Sequence, residues 1–387
     1  MKDILITGLG VMTAIGSNLQ DFWGGLLEGK DGVKPITAFD VQSHTNKVGC
    51  EIDDPALYAL PVNERLGRAT TLFHTALEDA LFDAGIQIDH LDKSRIGISV
   101  GTTMGEVVPY GRMEHERESM PAKGPHWIAR QIAQNYGLKG PRLTLTNACA
   151  AGNFALARAV DEIRGGRADI MIVGGVDILS WAAFTGFSSI RAMAPDRSKP
   201  FDVNRKGLIL GEGAGVLILE SREHVEERGG HARAKMLGYG LTSDAYHITQ
   251  PDPSARGAIA AIKQALLMGD IDKKQVGYVS AHGTGTLAND RMEANALFHI
   301  WGEDIVTSSI KANIGHTLGA ASAIEAVVCV KALETGMLPH TLNLVEKDPA
   351  CNVDVIAFEP RKKQVDYVLS NAYAFGGINS SILLGKV

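Results

Sequence analysis

Apolar and polar residues follow two patterns along this chain. Short uninterrupted apolar runs predict buried β-strands, at Ile4–Ile6, Ile96–Val100, Leu143–Leu145, Asp169–Val173, Lys235–Leu237 and Val276–Ser280. Longer segments with apolar residues at helical spacing predict α-helices, at Leu66–Ala84, Trp127–Tyr136, Ala255–Leu267 and Ala320–Leu333, with further helices after Cys149 and after Asp290. Apolar strands that alternate with helices predict an α/β sheet covered on both faces.

The second part of the chain repeats this order of elements from about residue 232. Both parts close on a glycine-rich segment that we interpret as a turn entering a strand, Gly213–Leu219 in the first and Gly376–Leu384 in the second. We therefore predict an internally duplicated α/β core, divided into residues 1–232 and 233–387. The charged stretch Met104–Lys123 is predicted to be an excursion from that core.

Composition and charge exclude several classes of protein. The 387 residues are 45% hydrophobic, and no apolar stretch is long enough to span a bilayer, so we expect a globular protein with no membrane segment. The first residues do not resemble a signal peptide, and four scattered cysteines predict neither disulfides nor a zinc site, so we expect a cytoplasmic location. The net charge of −6 argues against a nucleic-acid partner, because phosphate binding needs clustered cations.

Cys149 lies where a predicted strand gives way to a predicted helix of small residues, in the segment Thr146–Gly152. A thiol at a helix N-terminus faces unpaired backbone N–H groups and the positive end of the helix dipole, which together are expected to lower its pKa. The small residues after the sulfur leave room for an acyl group. We therefore predict Cys149 to be a nucleophile, and we interpret Cys50, Cys329 and Cys351 as structural.

Two histidines occur in segments rich in glycine and other small residues, His282 in Ala281–Thr286 and His316 in Lys311–Gly319. Neither has a second histidine at metal-ligand spacing, so no metal is predicted. Two neutral imidazoles that donate Nε2–H groups are able to polarise a thioester oxygen and stabilise an enolate. Together with Cys149 they form a candidate acyl-transfer site.

Lys311 and Glu325 are predicted to form an ion pair near these histidines. Lys311 precedes His316 by five positions, and Glu325 lies among alanines on the next predicted helix, where a carboxylate needs a partner.

Two glycine-rich segments do not predict a nucleotide site. Gly8–Thr13 follows a strand but lacks the third glycine and the prompt helix of a dinucleotide-binding motif, so we predict a strand and a turn. Gly211–Gly215 precedes a strand, whereas a phosphate cradle precedes a helix. No cofactor is therefore predicted.

Taken together, these segments resemble the β-ketoacyl-[acyl carrier protein] synthases of the thiolase superfamily, specifically the elongating Cys-His-His branch. The resemblance implies a thiolase-like fold of two similar α/β halves in a layered α-β-α-β-α arrangement, with the site between the halves and a dimeric assembly. It runs nearly end to end, through the cysteine junction and through Ile6–Gly10, Val173–Asp177, Pro200–Asp202, Gly211–Gly215, Ala281–Thr286, Lys311–Gly319 and Ala374–Asn379.

The same resemblance implies roles for particular residues. Cys149 would accept the acyl chain from a carrier protein as a thioester, while His282 and His316 would promote decarboxylation of malonyl-carrier protein and stabilise the enolate. Loss of carbon dioxide drives the reaction, so no cofactor is implied. The other implied roles are the oxyanion hole from the N–H groups of Cys149 and Phe375, a gate at Phe375, phosphopantetheine binding by Thr284 and Thr286, substrate contact at Leu208 and Gly376, and a supporting pair of Lys311 and Glu325.

Some positions depart from the usual pattern of the family. Lys206 and Leu208 stand where the family often has an acid and a pocket aromatic, which changes the expected pocket. The segments Thr286–Glu293 and Ser308–Lys311 are closer to ketosynthase subunits of type II polyketide systems, which pair with a chain-length partner that lacks the cysteine. This chain retains Cys149, so in such a heterodimer it would be the catalytic half. A homodimer is the alternative.

Two other functions are weighed against this one. A thiolase acting on coenzyme A thioesters uses a second cysteine as a base near the C-terminus, yet no cysteine follows Cys351. A scaffold or chain-length subunit does not need Cys149, His282 and His316, and all three are present.

Overall fold

The computed structural model describes residues 2–53, 67–107 and 124–387. Its elements in the first half are β1 (Ile4–Thr13), α1 (Leu19–Leu27), β2 (Lys34–Pro35), β3 (Val48–Gly49), α2 (Arg68–Ala84), β4 (Ile96–Gly101), α3 (Trp127–Tyr136), β5 (Arg142–Leu145), α4 (Ala151–Arg164), β6 (Ile170–Asp177), α5 (Trp181–Ser189), β7 (Gly213–Ser221) and α6 (Arg222–Glu227). Those in the second half are β8 (Ala234–Ser243), α7 (Arg256–Gly269), β9 (Val276–Ser280), α8 (Leu287–Trp301), β10 (Val306–Ser308), α9 (Lys311–Ile314), α10 (Ala321–Thr335), β11 (Met337–Leu338), β12 (Asp354–Val355), β13 (Arg361–Lys362), β14 (Tyr367–Ala374) and β15 (Ile378–Gly385). Within the described ranges, no helix has both the length and the apolar character that a membrane span requires.

Eleven of the described strands form one sheet, in the order β12-β10-β9-β14-β15-β8-β1-β7-β6-β4-β5. Each half contributes both parallel and antiparallel pairs: β4 runs parallel to β5 and β6, and β9 runs parallel to β10 and β14, while β7 and β15 pair antiparallel with their neighbours. The halves join where β1 pairs antiparallel with β8. Ile4 lies opposite Met236, Leu5 opposite Lys235 and Ile6 opposite Ala234.

The predicted duplication is confirmed by the strand order. In the first half, β1, β4, β5, β6 and β7 lie in the order β1-β7-β6-β4-β5. In the second half, β8, β9, β10, β14 and β15 lie in the order β8-β15-β14-β9-β10. When the five strands of each half are numbered 1 to 5 in chain order, both halves have the spatial order 1-5-4-2-3. The pairs α2 and α7, α3 and α8, and α4 and α10 occupy equivalent places in this order.

The helices form three layers around the two halves of the sheet. Helices α2 and α3 cover strands of the first half, and α7 and α8 cover strands of the second. Helices α4 and α10 pack against each other and against strands of both halves, so they form the central layer. In α10 the buried residues include Ser322, Glu325 and Cys329 as well as aliphatic side chains. A helix buried on this scale belongs to the interior of the protein.

Most predicted elements are present, but glycines led to three wrong boundaries. Strand β1 continues through Gly8 and Gly10, where a turn was predicted, and β6 continues through Gly174 and Gly175 to Asp177. The glycines of Gly213–Gly215 likewise lie within β7 rather than in a turn before it. Helix α8 begins at Leu287, before Asp290. Leu66 and residues 108–123 of the predicted excursion lie outside the described residues.

The strand glycines allow helices to pack directly on the sheet backbone. A Cβ atom at Gly8 or Gly10 in β1 would overlap the backbone carbonyl oxygen of Ala80 or Ala76 in α2. The equivalent positions in the second half repeat this contact, with Gly238 and Gly240 of β8 against Ala265 and Ala261 of α7. Close backbone approach, rather than a turn or a phosphate site, therefore explains the Gly-x-Gly pattern.

Gly10→Ala tests this packing. We expect the free energy of unfolding to fall by about 3 kcal/mol, because the new methyl group forces α2 away from β1. The control is Gly24→Ala in α1, where a Cβ atom would meet nothing within 4 Å and helix propensity favours alanine by up to about 1 kcal/mol. Urea denaturation of both variants is the measurement. Equal unfolding midpoints for Gly10→Ala and the unmodified protein would contradict the prediction.

Candidate active site

Cys149 lies in a single turn of 3₁₀ helix, Ala148–Ala150, that leads directly into α4. Ala148 has φ 48°, in the left-handed region that non-glycine residues rarely adopt. The chain therefore turns sharply between β5 and α4, and this turn places the Cys149 side chain at the buried N-terminal end of α4. Cys149 is 6% exposed.

The same sharp turn is repeated at the N-terminus of α10. Leu318 has φ 51° and begins the 3₁₀ turn Leu318–Ala320, which continues into α10. Because α4 and α10 are equivalent helices of the two halves, Gly319 occupies the position that corresponds to Cys149. His316 precedes this second turn, so the two turns bring the cysteine and the histidine to one place.

His316 contacts Cys149 directly. Its Nε2 atom lies 3.1 Å from Cys149 Sγ. The backbone N–H of Leu318 donates to His316 Nδ1 at 3.3 Å, so Nδ1 is the acceptor nitrogen and Nε2 carries the proton of the neutral ring. The N–H group that faces the sulfur is therefore a hydrogen-bond donor.

His282 presents the same tautomer to the cleft. Lys311 Nζ lies 3.3 Å from His282 Nδ1 and donates to the His282 carbonyl oxygen at 2.6 Å. An ammonium group has no acceptor lone pair, so Nδ1 accepts and Nε2 carries the proton. The rings of His282 and His316 meet edge to face, with centroids 5.3 Å apart. Glu293 holds the backbone here, accepting from the N–H groups of His282 and Gly283 at 2.8 Å each.

Burial keeps the thiol of Cys149 and the two imidazoles uncharged. Burial and the nearby Lys311 ammonium hold the pKa values of His282 and His316 well below their usual range, so both imidazoles are neutral. Burial also raises the pKa of the Cys149 thiol to about 12. The prediction of a lowered pKa from the helix terminus is therefore wrong for this buried thiol, because the cost of placing a thiolate in a buried position exceeds the stabilisation.

Lys311 and Glu325 contact each other beneath the histidines. Both side chains are 1% exposed, and Lys311 Nζ donates to Glu325 Oε1. Burial raises the pKa of Glu325 to about 7, against the opposing effect of Lys311. Lys311 therefore connects Glu325 to His282, and a buried cation lies close to both imidazoles.

Cys149, His282 and His316 open onto one cleft of about 360 Å³ between the halves. Thr284, Thr286, Leu208 and Phe375 line the same cleft, and the exposed Lys206 lies at its mouth. The hydroxyl oxygens of Thr284 and Thr286 lie 2.9 Å apart. Gly376 is exposed at the tip of the β14–β15 hairpin and does not line the cleft. Other lining residues include Phe187, Ile190, Arg191, Leu287, Asn289, Tyr373 and Asn379.

Asp177 organises the site, although the sequence analysis assigned it no role. Its buried carboxylate accepts from the backbone N–H groups of Thr103, Met104 and Gly319 at 2.7–2.9 Å, and from the Thr102 hydroxyl at 2.9 Å. Burial raises its pKa to about 6. Asp177 thus fixes the turn at the start of α10. The sequence signal that could have identified Asp177 is its position as the one acidic residue at the end of the otherwise apolar strand β6.

A duplicated layered fold, with a thiol at one central helix terminus and two neutral histidines facing it, defines a thiolase-like condensing enzyme. The model of the family described as "Beta-ketoacyl synthase, N-terminal domain" matches residues 1–224, and that of "Beta-ketoacyl synthase, C-terminal domain" matches residues 233–345.

Relatives and solved structures match over the full chain. The chain is 36% identical over 402 residues to Nodulation protein E of Rhizobium leguminosarum bv. trifolii, with 100% of each covered. It is 37% identical over 411 residues to 3-oxoacyl-[acyl-carrier-protein] synthase 2 of Synechocystis sp., covering 100% of this chain and 98% of the relative. The solved structure of the ishigamide ketosynthase/chain length factor superposes with a TM-score of 0.92 at 34% identity, covering 100% of this chain and 99% of the other.

The chain belongs to the β-ketoacyl synthase family, and it is a ketosynthase of fatty acid or polyketide biosynthesis. The resemblance inferred from the sequence motifs and the predicted thiolase-like fold are both confirmed.

The raised pKa of Cys149 predicts how its reactivity depends on pH. Only the thiolate reacts with iodoacetamide, so the alkylation rate constant of Cys149 should rise about tenfold per pH unit from pH 6 to 9 without levelling off. Mass spectrometry of the labelled peptide measures the rate, with Cys149→Ala as the control for other thiols. A plateau below pH 9 would show that the helix terminus outweighs burial.

A double-mutant cycle tests the buried ion pair. Glu325→Leu should lower the free energy of unfolding by about 3–5 kcal/mol, because it leaves the Lys311 ammonium buried without its counter-charge. The double variant Lys311→Met with Glu325→Leu should lose less than this single variant, since no charge remains unpaired. Urea unfolding of Glu325→Leu, Lys311→Met and the double variant is the measurement. A double variant as unstable as the sum of the two single changes would disprove coupling between the pair.

Proposed function

We propose that this ketosynthase joins carbon units by decarboxylative Claisen condensation, with Cys149, His282 and His316 as its catalytic residues. The observation that carries the proposal is the convergence of the three side chains on one cleft, where His316 Nε2 lies 3.1 Å from Cys149 Sγ. The halves contribute different parts: the first supplies the sulfur and the second supplies both imidazoles.

In the first step, the acyl group moves from a carrier thioester to Cys149. The sulfur attacks the thioester carbonyl carbon, a new C–S bond forms, and the bond to the carrier sulfur breaks. The thiol proton of Cys149 is transferred in net terms to the departing carrier thiol, so a neutral resting thiol is compatible with the step. The backbone N–H groups of Cys149 and Phe375 are the proposed donors to the developing oxyanion.

In the second step, malonyl-carrier protein loses carbon dioxide. The electron pair of the broken C–C bond passes into the thioester carbonyl and creates an enolate. The enolate oxygen accepts hydrogen bonds from the Nε2–H groups of His282 and His316. The enolate carbon then attacks the acyl carbonyl carbon on Cys149, so that a C–C bond forms and the C–S bond to Cys149 breaks. The sulfur leaves as a thiolate and takes a proton from water. Neutral imidazoles suit this step. Each one donates a hydrogen bond through its N–H group and keeps that proton at neutral pH.

The surrounding residues position these groups. Lys311 and Glu325 fix the ring of His282, Thr284 and Thr286 bind the phosphopantetheine arm, and Phe375 gates the acyl branch of the cleft. We assign direct substrate contact to Leu208 in the lining. Gly376 lies outside the lining, so its proposed part in substrate binding is indirect, through the neighbouring Phe375.

The proposed partner is an acyl carrier protein that presents acyl or malonyl phosphopantetheine. The name of the Synechocystis relative includes that carrier, and the ishigamide structure pairs a ketosynthase with a chain length factor. We propose a dimer, either of two copies or with a chain-length-factor-like subunit, in which this chain is the catalytic half. We also propose that its two domains meet near residues 232 and 233, between α6 and β8.

A cytoplasmic location is part of the same proposal. All four cysteines are buried and unpaired, which suits a reducing compartment.

The thiolase alternative is disfavoured by the lining of the cleft. Among the described residues that line it, Cys149 is the one cysteine, so no second thiol is placed to act as a base.

Two variants separate the chemical steps. Cys149→Ala should abolish acyl loading and chain elongation while retaining some decarboxylation of malonyl-carrier protein, because the histidine donors remain. His316→Ala should lose decarboxylation by about 10²–10³-fold, as expected for the loss of an oxyanion donor. Mass spectrometry of carrier-bound species and release of labelled carbon dioxide measure the two steps.

Cys351→Ala is the matched control, because this buried cysteine lies outside the cleft lining. Elongation that persists in Cys149→Ala, or an unmodified protein that releases no carbon dioxide and forms no lengthened product, would refute the proposal.

A further inference from the structure

Residues 198–208 form a crossing segment, which belongs to the first half of the chain but lies against the second. The segment contacts the threonine loop, Thr284–Thr286, where the Gly207 N–H donates to the Gly285 carbonyl oxygen at 3.0 Å. Leu208 at the end of the segment and both threonines of the loop line the cleft. The contact between the crossing segment and the threonine loop therefore shapes this part of the cleft wall.

Arg205 is a buried cation of the crossing segment, and its side chain has no exposed surface. Its Nη1 atom donates to Asp348 Oδ2 at 2.8 Å and to the Asp202 carbonyl oxygen at 2.7 Å. Its Nε atom lies 3.5 Å from Asp290 Oδ2. Asp290 and Asp348 both belong to the second half, so one planar guanidinium joins the crossing segment to two places on that half.

Asp290 connects Arg205 to the threonine loop. Its Oδ1 atom accepts from the N–H groups of Thr284 and Gly285, at 3.1 and 3.2 Å. Its Oδ2 atom, which faces Arg205, accepts from the N–H group of Phe201 in the crossing segment at 2.8 Å. One carboxylate thus holds both sides of the contact, and Arg205 holds that carboxylate. A change at Arg205 is therefore expected to shift the threonine loop relative to the crossing segment.

We propose that Arg205 is a positioning residue for the phosphopantetheine arm, because its ion pairs hold the threonine loop in the place where that arm binds. The inference rests on the proposed function, in which the threonine loop binds the arm. His282 is held independently, by Glu293 at its backbone and by Lys311 at its ring. Weakening the contacts of Arg205 therefore lowers the affinity for the arm and leaves the reacting groups in place.

The test compares two reactions of Cys149, of which only the first requires the arm to enter the cleft. In butyryl transfer from S-butyryl-pantetheine, the C–S bond to pantetheine breaks, a C–S bond to Cys149 forms and the thiol proton passes to pantetheine. In alkylation by iodoacetamide, a C–S bond forms, iodide leaves and the thiol proton passes to buffer. Mass spectrometry measures the half-saturating concentration and maximal rate of butyryl transfer, and the rate of alkylation.

Arg205→Lys keeps the charge, but an ammonium lacks the planar fork that reaches Asp348 and the Asp202 carbonyl oxygen together. The half-saturating concentration of S-butyryl-pantetheine should rise about tenfold, as expected when one hydrogen bond to a charged group is lost. The maximal transfer rate and the alkylation rate should stay within about twofold of those of the unmodified protein. A merely structural role would instead lower both rates.

Arg291→Lys is the matched control. Arg291 also contacts Asp348, at 3.4 Å, but its side chain is 56% exposed and lies outside the cleft lining, so this variant should leave all three quantities unchanged. Asp348→Asn is a second test of the same contact. It keeps an acceptor for the Ala350 N–H but turns a donor toward Arg205, so the half-saturating concentration should rise here too.

An unchanged half-saturating concentration in Arg205→Lys, at an unchanged melting temperature, overturns the proposal, and so does a fall in the alkylation rate as large as the rise in that concentration. If Arg205→Lys melts at a lower temperature, Asp348→Asn decides. If the unmodified protein accepts butyryl groups but does not condense them with malonyl-carrier protein, the proposed function fails while the positioning role of Arg205 stands. If it accepts no butyryl group, both fail.

Discussion

The close approach of α4 and α10 at their N-termini is the constraint on which the site depends. A Cβ atom at Gly152 would lie 2.6 Å from the backbone nitrogen of Ala323, so only glycine allows the helices to meet at this separation. The N–H of Asn153 donates to Ser322 Oγ at 2.9 Å and ties the two helices together. Because both helices begin with a sharp left-handed turn, the residues at those turns are brought into contact. A larger residue at position 152 would separate the sulfur from its histidine.

Buried carboxylates and one buried ammonium hold the loops that deliver the histidines. Asp177 fixes the turn before α10, and Glu293 accepts two backbone N–H groups at His282 and Gly283. Lys311 faces Nδ1 of His282 and so determines which nitrogen carries the proton. These groups satisfy backbone donors that would otherwise be buried without partners. Burial and the same cation lower the pKa of both imidazoles, so both histidines of the candidate site are neutral.

The sequence predicted much of the fold, because apolar runs and helical spacing are local properties. Helix α3 and strand β9 have the predicted boundaries, and the repeated order of elements predicted the duplication. The turn predicted at Gly8–Thr13 was wrong, since Gly8 and Gly10 are needed for contact between β1 and α2, and that contact involves residues far apart in the chain. The pKa of Cys149 was also predicted in the wrong direction. A helix terminus is visible in a sequence, while the depth of burial of a thiol is set by the packing of both halves.

The sequence by itself determined which residues are candidates for the chemistry: one cysteine at a strand–helix junction, two histidines among small residues, and a lysine and glutamate suited to pairing. The tertiary structure alone decided that His316 Nε2 faces Cys149 Sγ, that both histidines present Nε2–H to one cleft, and that Arg205 pairs with Asp348 of the other half. The physical reason is that residue type and local spacing are properties of neighbouring positions, whereas distance, tautomer and burial arise only when the two halves pack against each other.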